Sequence, residues 1–166
     1  MTKKPETVKE EDLIRRKDGL SYKKYAKVPF TGTLEEFFEN GQLARRENYK
    51  FGEKDGLTEF YENGQLGSKG NYKDGGKGNC RNGLWEWYHD NGQLESKGNF
   101  KNGKEDGLWE FYYYDGSLLI KENLKDGRWH GPQETFYPNG QLERKRNYKN
   151  GKIDGLLESF YENGQL

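Results

Sequence analysis

Apolar residues are scarce in this chain of 166 residues: they make up 30% of it, against 34% charged residues. A balance of that kind ordinarily leaves a chain unable to bury enough surface to fold. Cysteine occurs once, at Cys80, which excludes an internal disulfide and leaves no thiol spacing suited to zinc. Lysine plus arginine and aspartate plus glutamate each number 28, so the formal net charge is zero and no preference for nucleic acid or an anionic membrane follows. No apolar run is long enough for a membrane helix or the core of a signal peptide. The chain therefore reads as cytoplasmic, although a secreted or envelope protein stripped of its export signal would read the same.

What the chain does have is aromatic residues, 15% of the total, and 23 glycines at fixed offsets. One phrase recurs six times: Asn40-Gly41-Gln42-Leu43, Asn63 to Leu66, Asn91 to Leu94, Asp115-Gly116-Ser117-Leu118, Asn139 to Leu142 and Asn163 to Leu166. Its first residues are spaced 23, 28, 24, 24 and 24 positions apart, a period that signals stacked copies of one supersecondary unit. A second turn phrase lies between the copies, at Phe51-Gly52, Asp74-Gly75, Asn102-Gly103, Asp126-Gly127 and Asn150-Gly151. Asn-Gly and Asp-Gly between strand formers predict two-residue type I′ turns, because those residues reach positive φ at little cost. A further glycine follows at Gly56, Gly107, Gly131 and Gly155, so each unit reads as strand, turn, strand and glycine-bounded link.

Superposing the units gives the columns of the sheet. Before the Asn-Gly-Gln-Leu turn stand two adjacent aromatic columns, Phe37, Phe60, Tyr88, Tyr112, Phe136 and Phe160, then Phe38, Tyr61, His89, Tyr113, Tyr137 and Tyr161. Neighbours along a strand face opposite ways. An acidic column, Glu35, Glu86, Glu110, Glu134 and Glu158, precedes the turn, and a basic one, Arg46, Lys69, Lys97, Lys121 and Lys145, follows it. These predict cross-strand ion pairs that keep an open sheet soluble. The turn leucine and the aromatic six residues later, such as Leu94 and Phe100, share a parity, and the face they share is the expected core. The fold class is all-β: an elongated antiparallel meander of about six 24-residue hairpin repeats, largely single-layer and twisted.

No chemistry stands out from this pattern. His89 occupies a column of Tyr and Phe, and His130 replaces the aspartate found at Asp55, Asp106 and Asp154. A carboxylate column repeated in register is structural, whereas acid–base work needs two carboxyls in different environments. The chain is read as a non-enzyme, with no catalytic residues, no metal site and no cofactor. The departures from the repeat are more informative. Unit two carries an added stretch, Gly76 to Asn82, and all four tryptophans follow it, at Trp85, Trp87, Trp109 and Trp129. Trp85, Trp87, His89, Trp109 and Tyr113 share a parity and predict an aromatic stripe flanked by Arg81 and Arg128. With Trp129 they form the candidate partner-binding set, since Trp, Tyr and Arg dominate protein-binding hot spots.

The ends differ from the repeats. Residues 1–11 read as a flexible tail, with Thr7 and Glu10 as an alternative capping box. Residues 12–31 read as a capping hairpin about Asp18-Gly19 with a lead-in segment, and residues 32–166 as one continuous repeat domain. The final unit lacks its second strand, so either the natural protein continues past Leu166 or the last strand is an open edge suited to self-association.

Segments such as Gly107-Leu108-Trp109-Glu110-Phe111-Tyr112 and Asn99-Phe100-Lys101-Asn102-Gly103-Lys104 resemble the MORN repeat variant, the type found in YwqK-family antitoxins. Pro29-Phe30-Thr31-Gly32 is similar to the usual start of such an array, and the resemblance covers roughly residues 13 to 166. It implies a repeat module that binds a protein partner, as an antitoxin or immunity protein would bind a toxin. The more distant MORN repeats imply the alternative of a scaffold that binds lipid or glycan at the cell envelope.

Overall fold

The computed structural model describes residues 5–74 and 79–166. Two kinds of turn alternate in it. At Phe51-Gly52, Asn102-Gly103, Asp126-Gly127 and Asn150-Gly151 both residues have positive φ, for example 52° at Asn102 and 79° at Gly103. These are the expected type I′ turns, whose twist matches the strands they join. The Asn-Gly-Gln-Leu phrase turns differently. In the first copy only Gly41 is left-handed, with φ 83°; its amide donates to the Phe38 carbonyl, and the Phe38 amide donates to the Gln42 carbonyl. That is a three-residue loop, a type I turn closed by a glycine bulge, rather than a two-residue turn. The Gln42 amide donates to Asn40 Oδ1 at 2.9 Å, which is why the phrase begins with Asn or Asp.

The main strands are β4 (Gly32–Phe37), β5 (Leu43–Lys50), β6 (Glu53–Phe60), β7 (Leu66–Asp74), β8 (Asn79–Tyr88), β9 (Leu94–Lys101), β10 (Lys104–Tyr112), β11 (Leu118–Lys125), β12 (Arg128–Phe136) and β13 (Leu142–Lys149). Each pairs antiparallel with the next in sequence order, giving the predicted meander in one sheet that does not close. The glycine-bounded links at Gly56, Gly107 and Gly131 turn out to be strand, while the one at Gly155 does not. Residues Lys104 to Tyr112 form one strand through Gly107, where the chain bulges against β9 at φ 97° yet stays in register with β11.

The ion-pair ladder is as the columns predict. Glu35 faces Arg46, Lys69 faces Glu86, and Lys97 lies between Glu86 and Glu110 in the register. Salt bridges close Arg46 to Glu35 at 2.7 Å, and Lys69 to Glu86 and Lys97 to Glu110 at 2.8 Å each. The leucine expectation needs correction. Trp87 pairs with Ser96 but Tyr88 pairs with Leu94, so Glu95 is an extra, unpaired residue. One extra residue reverses the alternation. Leu94 therefore stands beside Tyr88 on the ladder face, while Phe100 stays with the tryptophans on the opposite one. The same shift occurs at the end of every Asn-Gly-Gln-Leu hairpin from β4–β5 to β12–β13.

The N-terminal segment is only partly as expected. Residues 1–4 of the predicted tail lie outside the described residues. Thr7–Val8 forms β1, which pairs parallel with β4 and buries Val8 against Phe30 and Leu34, so this stretch is held rather than loose. A single 3₁₀ turn follows at Glu10–Asp12. The predicted hairpin is present as β2 (Leu13–Arg15) and β3 (Ser21–Lys23). It covers the tryptophan-bearing face at β4–β6, where Leu13, Leu34 and Tyr49 line a cavity of about 300 Å³ beneath it. Of the added stretch, residues 75–78 lie outside the described residues; Asn79 to Asn82 extend β8 against β7. The final unit holds two short, exposed strands, β14 (Lys152–Ile153) and β15 (Glu158–Ser159), both paired with β13.

Candidate interaction face

One row of directly opposed residues crosses the sheet: Leu34, Glu47, Leu57, Gly70, Trp85, Gly98, Trp109, Glu122, Gln133 and Arg146. Each tryptophan in it is preceded by a glycine, and the reason is steric. A Cβ on Gly70 would overlap the Trp85 indole, and one on Gly98 would overlap that of Trp109. The rings lie flat on bare backbone, which is how a sheet without a second layer buries Trp85 completely and leaves Trp109 only 5% exposed. Where the preceding residue is Glu47 or Glu122, the next position is Leu57 or Gln133. The signal is legible in the sequence as Gly-Asn in place of Glu-Asn at 70–71 and 98–99.

Around this pair the aromatic rings interlock. Trp87 stacks on Trp85 and on Trp109, with centroids 5.7 Å apart in each case, and Trp109 continues onto Phe111. Phe100 and Tyr72, neither in the candidate set, meet the stack edge-on. The Arg81 guanidinium caps the end, 4.5 Å from the Trp85 ring, 5.4 Å from that of Phe100 and 5.5 Å from that of Trp87. Arg81 is exposed and Trp87 half-buried, and among the described residues no carboxylate lies within ion-pair distance of that guanidinium.

The predicted stripe thus divides by depth. Trp85, Trp87, Trp109 and Arg81 are together, with Trp85 and Trp109 supporting from beneath and Trp87 and Arg81 outermost. His89 and Tyr113 share the face but sit at its turn end, engaged with the next unit: His89 Nε2 lies 3.3 Å from the Tyr112 carbonyl, and the Tyr113 hydroxyl donates to that of Phe136. Trp129 is on the same face one unit on, beside Tyr148 at 5.1 Å. Arg128, its neighbour along β12, faces the other way.

Charge on this face is concentrated at its two ends. Glu47, 3% exposed, is held by Lys54, by Arg45 at 3.4 Å and by the Tyr49 hydroxyl at 2.7 Å. Burial, then the bond to Glu47, pushes the Tyr49 phenol far above its usual range. Glu122 occupies the equivalent position in a later unit. On the ladder face, the bond from Lys97 holds the Glu110 carboxyl below its ordinary value and raises that of Lys97 in return.

No curated protein matches the chain. The MORN repeat variant matches it over residues 30–51, 55–74, 81–102, 105–126, 129–150 and 153–166, the same units the hairpins define. With six matched repeats spread over most of its length, the chain belongs to the MORN repeat variant family.

Proposed function

We propose that this chain is a non-enzymatic binding module that engages a protein partner through its tryptophan face, from β8 onward. The observation that carries this reading is the Arg81–Trp87 patch, an accessible guanidinium and indole braced on a stack that is already ordered. Trp and Arg are the residue types that dominate hot spots, and a braced pair loses little side-chain entropy on binding. The N-terminal hairpin covers the same face over β4–β6, which leaves the later units as the open surface. An antitoxin or immunity role is the concrete form of this reading: an extended sheet of this kind neutralises a toxin by covering it. The balanced net charge favours a protein over an anionic membrane.

The test is capture from the source cell with Trp87→Ala and Arg81→Ala compared with Lys121→Ala, an exposed position on the ladder face. Both face variants should weaken binding of the captured protein about tenfold or more, equivalent to about 1.4 kcal/mol, while keeping the natural chain's backbone amide chemical-shift dispersion and a cooperative unfolding transition. Capture of a nuclease or other toxic protein supports the antitoxin form. Binding retained in both folded variants would remove the patch from the interface.

A further inference from the structure

The buried carboxylate of Glu122 has a counterpart earlier in the same chain, and the two are satisfied differently. Glu47 pairs across the sheet with Leu34 and Leu57, and Glu122 with Trp109 and Gln133, at the same place in their units. At Glu47 the neighbouring strand supplies Lys54, whose ammonium pairs with the carboxylate and lies 5.3 Å from the ring of Tyr72. At Glu122 the residue in the Lys54 position is Trp129, and the ring in the Tyr72 position is Tyr148. The aromatic partner is kept and the cation is lost.

What replaces the cation is neutral. The Trp129 indole N–H donates to Glu122 Oε2 at 3.1 Å, and the Gln133 amide donates to the same oxygen at 2.6 Å. Among the described residues no lysine or arginine is within ion-pair distance of Glu122, although only 8% of it is exposed. A carboxylate this deep, held by neutral donors alone, lacks the counter-charge that buried ions ordinarily have. Arg146 lies one strand past Gln133 and is turned to the Tyr148 hydroxyl, at 3.2 Å. Trp129 itself is 42% exposed, so an indole ring stands open beside the charge.

We infer that Glu122 and Trp129 form a subsite for a basic side chain of the partner, whose ammonium or guanidinium pairs with Glu122 and lies against the indole. The chain supplies that cation to itself at Glu47 and leaves it to the partner at Glu122. Carboxylate and aromatic face are the two groups that attract such a cation. The inference rests on the tryptophan face being a binding surface, but its test uses a free probe, so the two can fail separately.

The probe is N-acetyl-lysine methylamide, followed by nuclear magnetic resonance at the Trp129 indole N–H. A saturable shift is expected in the natural chain, none with the neutral norleucine counterpart, and none in Glu122→Gln. Trp129→Lys, which restores the arrangement at Glu47, should raise the melting temperature and abolish the response to the probe, read at Gln133. An equal shift with norleucine, a shift that survives Glu122→Gln, a response only to an oligosaccharide, or a lowered melting temperature in Trp129→Lys would each overturn the inference. If Trp129 responds while capture through Trp87 and Arg81 fails, the subsite stands without that patch; a silent Trp129 alongside successful capture removes the subsite alone.

Discussion

At the residue scale, burial in this protein depends on where side chains are missing. Trp85 and Trp109 reach core-like burial because Gly70 and Gly98 give up a Cβ to let an indole lie on the backbone. Gly98→Ala should therefore cost about 1–3 kcal/mol by overpacking, measured by urea denaturation. The cost should shrink in the double variant with Trp109→Leu, since the first unit already places a leucine, Leu57, next to a full side chain, Glu47. A Gly98→Ala cost unchanged by Trp109→Leu would show that the backbone at residue 98, and not the indole, resists the methyl group. Trp85→Ala should cost about 3–5 kcal/mol, which makes it a poor probe of partner binding.

At the scale of the element, the Asn-Gly-Gln-Leu hairpin serves two purposes. It turns the chain, and it fastens one unit to the next. Asn63 Nδ2 donates to the Asp90 carbonyl and Asn91 Nδ2 to that of Tyr114, both at 2.8 Å. The second aromatic column repeats the device: the hydroxyls of Tyr61, Tyr113 and Tyr137 donate to the carbonyls of Tyr88, Phe136 and Phe160 in the following unit. Phe38 stands in that column without a hydroxyl. Phe38→Tyr should place one within reach of the Phe60 carbonyl and stabilise the chain by about 0.5–1.5 kcal/mol in thermal or urea unfolding. No gain would mean that the first hairpin does not lie over the second as the later ones lie over their successors. The tyrosine column is plain in the sequence, but its purpose is not, because the bonds span 23 to 27 residues.

At the scale of the molecule, the strands follow one another in sequence order, so each unit packs on its neighbours and stability is distributed along the array. Hydrogen exchange should expose that gradient. Amides of β8, β9 and β10 around the tryptophan stack should exchange slowest, and those of β14 and β15, which flank the exposed Leu156 and Leu157, fastest. Uniform protection would contradict the placement of the stack as the stabilising centre. The period, the type I′ turns and the ion-pair ladder were legible in the sequence, because each is set by residues within one unit or its immediate neighbour. The face of the leucines was not legible, since a bulge of one residue leaves no mark in composition and is seen only when both strands are paired. Thus the sequence by itself determined the meander, its register of charges and the grouping of Arg81 with Trp85, Trp87 and Trp109, all consequences of local turn chemistry and alternation. Only the tertiary structure decided which of those rings are buried, which face the leucines take, and that Glu122 is buried without the cation Glu47 has, because each depends on what lies on the strand alongside.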